Sequence, residues 1–239
     1  MAKYVIVHGA WHTGDLFNDT AAVIRRAGHD VLLPTVAGNA PGDPKDIGLE
    51  IAIQSIIEFI EDADVQDFVL VGHSYGGMII TGVADKLATR IRRLVYWNAF
   101  VPNDGECLND MVPSHYVELF NRLVATDGSL SLPYEIWREA FINDASGELA
   151  KDAYEKLNPH PMNTFTDAIS LNTNPIDMTI PKSYLNCTED TGLPQSLGWH
   201  PRLSEKLGLF RLVQTPGSHE LCFTDPALLA EKIMQAGRD

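Results

Sequence analysis

The stretch that decides the fold reads Phe68-Val69-Leu70-Val71-Gly72-His73-Ser74-Tyr75-Gly76-Gly77. Four apolar residues in succession form a strand pattern buried on both faces. The next five match Gly-x-Ser-x-Gly, and residues 78–87 follow with helical periodicity. A strand that turns so tightly into a helix strains the serine backbone and lifts its hydroxyl above the sheet. Gly72 and Gly76 lack a Cβ, so strand and helix can close around the turn. The start of the helix also favours negative charge developing beside Ser74. The bland alternative is a glycine-rich turn that happens to hold a serine. The strand before it and the helix after it favour Ser74 as a candidate nucleophile.

Outward from this turn, apolar strands alternate with amphipathic helices. Strands are predicted at residues 4–7, 31–33, 68–71 and 94–97, and helices at 16–27, 47–63 and 78–87. From residue 102 to about 179 the texture changes, and no β-type apolar run occurs. Short helical stretches at 115–124, 134–141 and 147–157 are separated by Pro113, Pro133, Pro159, Pro161 and Pro175. Strand signals resume at 182–187 and 209–213, and a last helix spans 227–235. This alternation implies an α/β fold with a mainly parallel sheet of about six strands, covered on both faces. Residues 1–104 and 180–239 form its core, and 105–179 form a helical lid inserted after the fourth strand. Ligands of such sheets bind beyond the carboxyl ends of the strands. The insertion leaves from one of those ends, at Val101-Pro102, and so should roof the site.

Composition narrows the function. The chain has 239 residues, 45% hydrophobic and 21% charged, as an ordinary globular domain does. Acidic residues outnumber basic ones 32 to 18, for a formal charge of −14. A surface that negative repels phosphate backbones and anionic lipid, so neither nucleic acid nor membrane is an expected partner. No apolar run approaches the roughly 20 residues of a bilayer span. The segment before the first strand is too short for a signal peptide. Cys107, Cys187 and Cys222 are odd in number and lack Cys-x-x-Cys spacing. They argue for a reducing, cytoplasmic setting and against a zinc site, so no metal is expected.

Three further signals sit where the turn needs partners. His8-Gly9-Ala10-Trp11 follows the first strand and can aim a backbone N–H at the space above Ser74. An oxyanion hole needs two such donors, here assigned to the amides of Ala10 and Tyr75. His8 itself reads as a brace for the loop. Of eight histidines, only His219 lies beyond the last predicted strand, on a loop able to carry a general base. Asp190 follows the strand at 182–187 and completes the order Ser…Asp…His. Its neighbour Glu189 is a competitor one residue away. After the preceding strand the chain offers Trp97-Asn98-Ala99, an amide in place of a carboxylate.

Together these motifs resemble the α/β-hydrolase superfamily, and in detail its plant methylesterase and hydroxynitrile lyase branch with the bacterial esterase relatives. The resemblance rests on residues 4–11 (YVIVHGAW), 71–77 (VGHSYGG), 99–102, 187–194 (CTEDTGLP) and the His219 loop. It covers most of 1–104 and 180–239 and is weak across 105–179. It implies a Ser74–Asp190–His219 triad acting without cofactor on a small-molecule ester, with an acyl-enzyme on Ser74. Two departures stand out. The lyases carry threonine where Gly9 stands, and a lysine where Glu220 follows His219. That lysine helps hold developing cyanide, whereas a carboxylate there should repel it. The aromatic residues common after the first motif are also replaced, by Gly14-Asp15-Leu16-Phe17.

The expected activity is therefore hydrolysis of small to medium carboxylic esters, aryl or methyl esters among them. Trp11, Tyr116, Phe120, Trp137 and Phe141 are the candidates for an apolar substrate pocket. The alternative on the same scaffold is lactone or C–C bond hydrolysis, or cofactor-free oxygen chemistry. A binding protein that kept the pocket and lost turnover is a third reading, against which the intact Ser-Asp-His set argues. The sequence leaves room for a homodimer.

Overall fold

The computed structural model describes residues 1–238. Its frame is a six-stranded sheet in which every neighbouring pair is parallel. In chain order the first half holds β1 (Lys3–Val7), α1 (Asn18–Arg26), β2 (Asp30–Leu32), α2 (Leu49–Asp62), β3 (Phe68–His73), α3 (Gly76–Leu87) and β4 (Ile91–Trp97). The segment 105–179 carries α4 (Ser114–Leu123), β5 (Ser129–Leu130), α5 (Tyr134–Ala140), α6 (Gly147–Tyr154), β6 (His160–Pro161) and α7 (Asn163–Thr166). The chain closes with β7 (Lys182–Cys187), β8 (Arg211–Thr215), α8 (Leu221–Thr224) and α9 (Pro226–Ala236).

The strands lie in the order β2-β1-β3-β4-β7-β8. The chain steps from β1 outward to β2, then back past β1 to β3. That reversal makes the carboxyl ends of β1 and β3 a topological switch point, where open parallel sheets bind their ligands. The register sets Val7 beside Gly72, so the loops after both strands start at the same height.

Side chains alternate across the sheet as a pleated strand requires. Val5, Val7, Phe68 and Leu70 pack toward one core with α2 and α3. Tyr4, Ile6, Val69 and Val71 pack toward the other, with α1 and α9. The continuous apolar runs of β1 and β3 follow from burial on both faces. At the turn, Gly76 brings α3 against the end of β1. A Cβ there would lie 2.7 Å from the Val7 carbonyl oxygen and 2.8 Å from that of His8, both backbone atoms that cannot swing aside. Gly76→Ala is expected to cost about 1–3 kcal/mol by overpacking, read as a lower urea midpoint at unchanged m-value. An unaltered midpoint would contradict this account of the turn.

Where sequence and structure differ, local causes are visible. The last strand starts at Arg211, two residues later than periodicity suggests, because Gly208 turns at φ 69° and Leu209 stands exposed. The helix expected at 16–27 begins with a 3-10 turn over Gly14–Phe17 and becomes α-helical at Asn18. The segment 105–179 is not wholly helical, since β5 and β6 pair antiparallel, Leu130 opposite His160. Two-residue strands, one containing proline, leave no periodic trace in a sequence. No helix among the described residues is long and apolar enough to cross a membrane, and all three cysteines are free.

Candidate active site

Ser74 sits on the turn between β3 and α3 with φ at 55°, a left-handed conformation that a non-glycine residue adopts at a cost. Backbone hydrogen bonds hold it there. Its N–H donates to the Trp97 carbonyl at 3.2 Å, and its carbonyl accepts from Gly77 at 3.0 Å and Phe100 at 3.1 Å. The side chain faces an apolar cavity.

Ala10 and Tyr75 border the same cavity. Neither amide is given to a partner among the described residues. Gly9 lets the first loop approach this closely. A Cβ on Gly9 would stand 3.0 Å from His73 Nδ1 and 3.1 Å from Ser74 Cβ, so the threonine of the lyases would crowd the serine here. His8 braces the loop as expected. It bonds the Gly9 carbonyl through Nδ1 at 2.8 Å and accepts the Val36 N–H on Nε2 at 2.9 Å. Burial lowers its pKa to about 3, which keeps it neutral.

His219 hangs from the loop after β8, almost fully buried. Its Nδ1 lies 2.6 Å from Asp190 Oδ2, and both side chains are shielded from solvent. The competing Glu189 turns the other way and accepts the Gly217 N–H at 3.1 Å, supporting the histidine loop from behind. Asp190 is held from two more sides. Gly192 donates its N–H to Oδ1 at 2.7 Å, and the Asn98 amide donates to Oδ2. Asn98 is itself fixed by accepting the Cys187 N–H at 2.6 Å. Aromatic rings then frame the imidazole. Trp199 stacks on it at 5.0 Å and 19°, Phe141 meets it edge-on at 5.3 Å, and His73 lies 4.6 Å away. His73 also donates through Nε2 to the His219 carbonyl at 3.0 Å. Burial, and then the proximity of His219 and His12, push the His73 pKa well below its ordinary value. No hydrogen bond joins the Ser74 hydroxyl to His219 in this structure. In unliganded sites that bond is commonly long and tightens with substrate.

Four of the five aromatic pocket candidates, Trp11, Tyr116, Phe120 and Phe141, line the cavity. Trp137 does not. It is fully buried, with its ring 5.7 Å from Tyr154 of α6, because α5 turns that face toward α6 and away from Ser74. Phe100, Phe165, Leu193 and Trp199 are among the other residues of the wall. Phe17, from the stretch that departs from the lyases, is no part of it. Its ring is buried against Trp97 at 5.8 Å.

Glu220 corrects a second expectation. Its carboxylate is not a free charge beside His219. It is buried, and Oε2 lies 2.9 Å from His12 Nε2. Glu220 is no part of the cavity wall, and its carboxylate is held by His12. No lysine or arginine lines the cavity among the described residues.

The chain matches the model of the alpha/beta hydrolase family over residues 4–232. It is 50% identical over 116 residues to a carbendazim hydrolyzing esterase of Nocardioides sp., a match covering 47% of this chain and 48% of that one. The chain thus spans about half the length of that relative. It is 28% identical over 125 residues to an alpha-hydroxynitrile lyase of Arabidopsis thaliana, covering 49% and 45% of the two chains. Among solved structures it superposes on an extracellular alpha/beta-hydrolase from a Paenibacillus species with a TM-score of 0.97, at 34% identity and over the whole of both chains. That protein is described as sharing structural and functional homology with tobacco salicylic acid binding protein 2.

Proposed function

This chain belongs to the alpha/beta hydrolase family, and from that premise we propose that it is a serine hydrolase of small to medium carboxylic esters, aryl and methyl esters among them, working through an acyl-enzyme on Ser74. One observation carries the reading. A strained Ser74, two unclaimed amides and a carboxylate-held histidine converge at the end of β3, beneath an apolar cavity. The carbendazim-hydrolysing relative supports an ester-type substrate with an aromatic part, and so does a wall built from aromatic rings.

In this mechanism His219 Nε2 takes the Ser74 proton as Oγ attacks the ester carbonyl carbon. The carbonyl π electrons move onto oxygen, and that oxyanion rests on the Ala10 and Tyr75 amides. Collapse expels the alkoxide, which leaves as alcohol with the proton from His219. Water then attacks the acyl-enzyme with His219 again as base, releasing acid and restoring Ser74. Asp190 keeps the Nδ1–H tautomer and stabilises the imidazolium. These steps call on no cofactor. Residues 105–179 act as the lid, contributing Leu108, Val112, Tyr116, Phe120, Phe141 and Phe165 to the pocket. Three unpaired cysteines suit a reducing compartment.

The test is a paired assay. The protein should hydrolyse p-nitrophenyl acetate with saturable kinetics and release no measurable cyanide from mandelonitrile. Cyanide release at a rate comparable to ester hydrolysis would overturn the assignment.

A further inference from the structure

Behind the catalytic face lies a polar pair that the mechanism above does not use. His12 and Glu220 are each about 1% exposed and lie 208 residues apart in sequence. His12 Nε2 meets Glu220 Oε2 at 2.9 Å, and its Nδ1 meets the Ala10 carbonyl at 2.6 Å. Both neighbours offer acceptor oxygens, and a ring that donates to them from both nitrogens carries a positive charge. Burial opposes that charge, but the Glu220 carboxylate and the Ala10 carbonyl outweigh it and raise the His12 pKa.

The position of these bonds gives them a purpose. The Gly9 carbonyl and the Ala10 N–H belong to one trans peptide and point in opposite directions. His8 holds that carbonyl, and so directs the Ala10 N–H. His12 holds the next carbonyl, that of Ala10, and so fixes the second peptide plane. Trp11 follows with φ at 65°, a conformation that needs such support. At the other end, Glu220 directly follows His219, and its own N–H donates to the Phe141 carbonyl at 3.2 Å. One buried contact thus joins the oxyanion loop, the histidine loop and a residue of the cavity wall.

We propose that the His12–Glu220 pair is a positioning device that holds the Ala10 amide and His219 in register with Ser74. The proposal rests on the serine hydrolase reading. The same pair lies within 4.8 Å of Cys222 Sγ, a set of atoms that could also ligate a metal. Yet 2.9 Å is a hydrogen-bond separation. Two ligands each about 2.0–2.1 Å from one tetrahedral metal would stand roughly 3.3 Å apart.

The decisive variant is the double replacement His12→Phe with Glu220→Leu. Removing both partners strands no buried charge, and such replacements are commonly neutral for stability. The new ring would pack beside Phe17 and Phe223, as the imidazole does. The folded variant is expected to lose about 10²-fold in kcat on p-nitrophenyl acetate, the scale of a misplaced oxyanion donor, with KM within about threefold. It should lose affinity for a trifluoromethyl ketone, a tetrahedral mimic, by a similar factor. Glu220→Gln is the second arm. Its amide donates to His12 Nε2, which leaves Nδ1–H on Ala10, so most activity should be rescued, within about tenfold of wild type. A folded double variant with wild-type kcat would overturn the proposal. A 10³-fold loss in Glu220→Gln, or stoichiometric zinc in the wild type that the double variant lacks, would do so as well. Undiminished turnover by Ser74→Ala would instead sink the underlying hydrolase reading, so the two failures are distinguishable.

Discussion

Ser74→Ala is expected to fold as the wild type does and to lose about 10⁴–10⁶ in kcat on aryl esters. Folding should survive because the turn is held by backbone, through the Trp97 carbonyl and the Gly77 and Phe100 amides, and not by the hydroxyl. Alanine at φ 55° is strained no less and no more than serine. Turnover should collapse because no other nucleophile takes its place. Among the described residues lining the cavity, none is a cysteine, lysine or second serine. The residual rate would come from the amides and the pocket, which still bind and polarise the ester. Steady-state kinetics beside a thermal melt checks both halves. Activity within tenfold of wild type in a folded variant would refute the mechanism.

The second large effect belongs to Asp190. Asp190→Asn should lower kcat by about 10⁴, by precedent from serine proteases. The local hydrogen bonds say why. Gly192 keeps one side-chain atom an acceptor, so the new NH₂ falls where Oδ2 now accepts from both Asn98 and His219. Donor then faces donor. His219 must turn its lone pair to Nδ1 and its proton to Nε2, and a protonated Nε2 cannot take the serine proton. Glu189→Gln should change kcat only a few-fold, since an amide oxygen can accept the Gly217 N–H as the carboxylate does. The larger loss in Glu189→Gln would mean that the wrong acid has been assigned.

Much of this was legible in the sequence, for reasons visible in the fold. The inner strands of a doubly covered parallel sheet are apolar runs, so β3 and β4 could be read from Val69–Val71 and Leu94–Trp97, whereas the edge strand β8, with Leu212 and Gln214 exposed, is apolar only in part and its start is blurred in the sequence. Ser74 was legible because the strained turn needs glycine on both sides. Asp190 and His219 were legible because each follows a strand at the reacting end. Side-chain partnerships across the fold were not. Nothing in the sequence joins His12 to Glu220, or Asn98 to Asp190 across 92 residues. Trp137 and Phe141 are both aromatic residues of one helical stretch. Only packing decides that Trp137 goes inward against Tyr154 while Phe141 reaches the cavity. Trp199 gave no signal either, since a tryptophan in a loop is as readily core as catalytic wall.

The central claim is a covalent bond between Ser74 and the acyl group. Mixing excess protein with p-nitrophenyl acetate, quenching in acid within the first turnover and mapping peptides by mass spectrometry tests it most directly. The expected result is one acetyl group on Ser74, formed as fast as p-nitrophenol appears and absent from Ser74→Ala. Release of p-nitrophenol with no acetyl on Ser74, or with the acetyl on Cys107 or another residue at the rate of turnover, would contradict it.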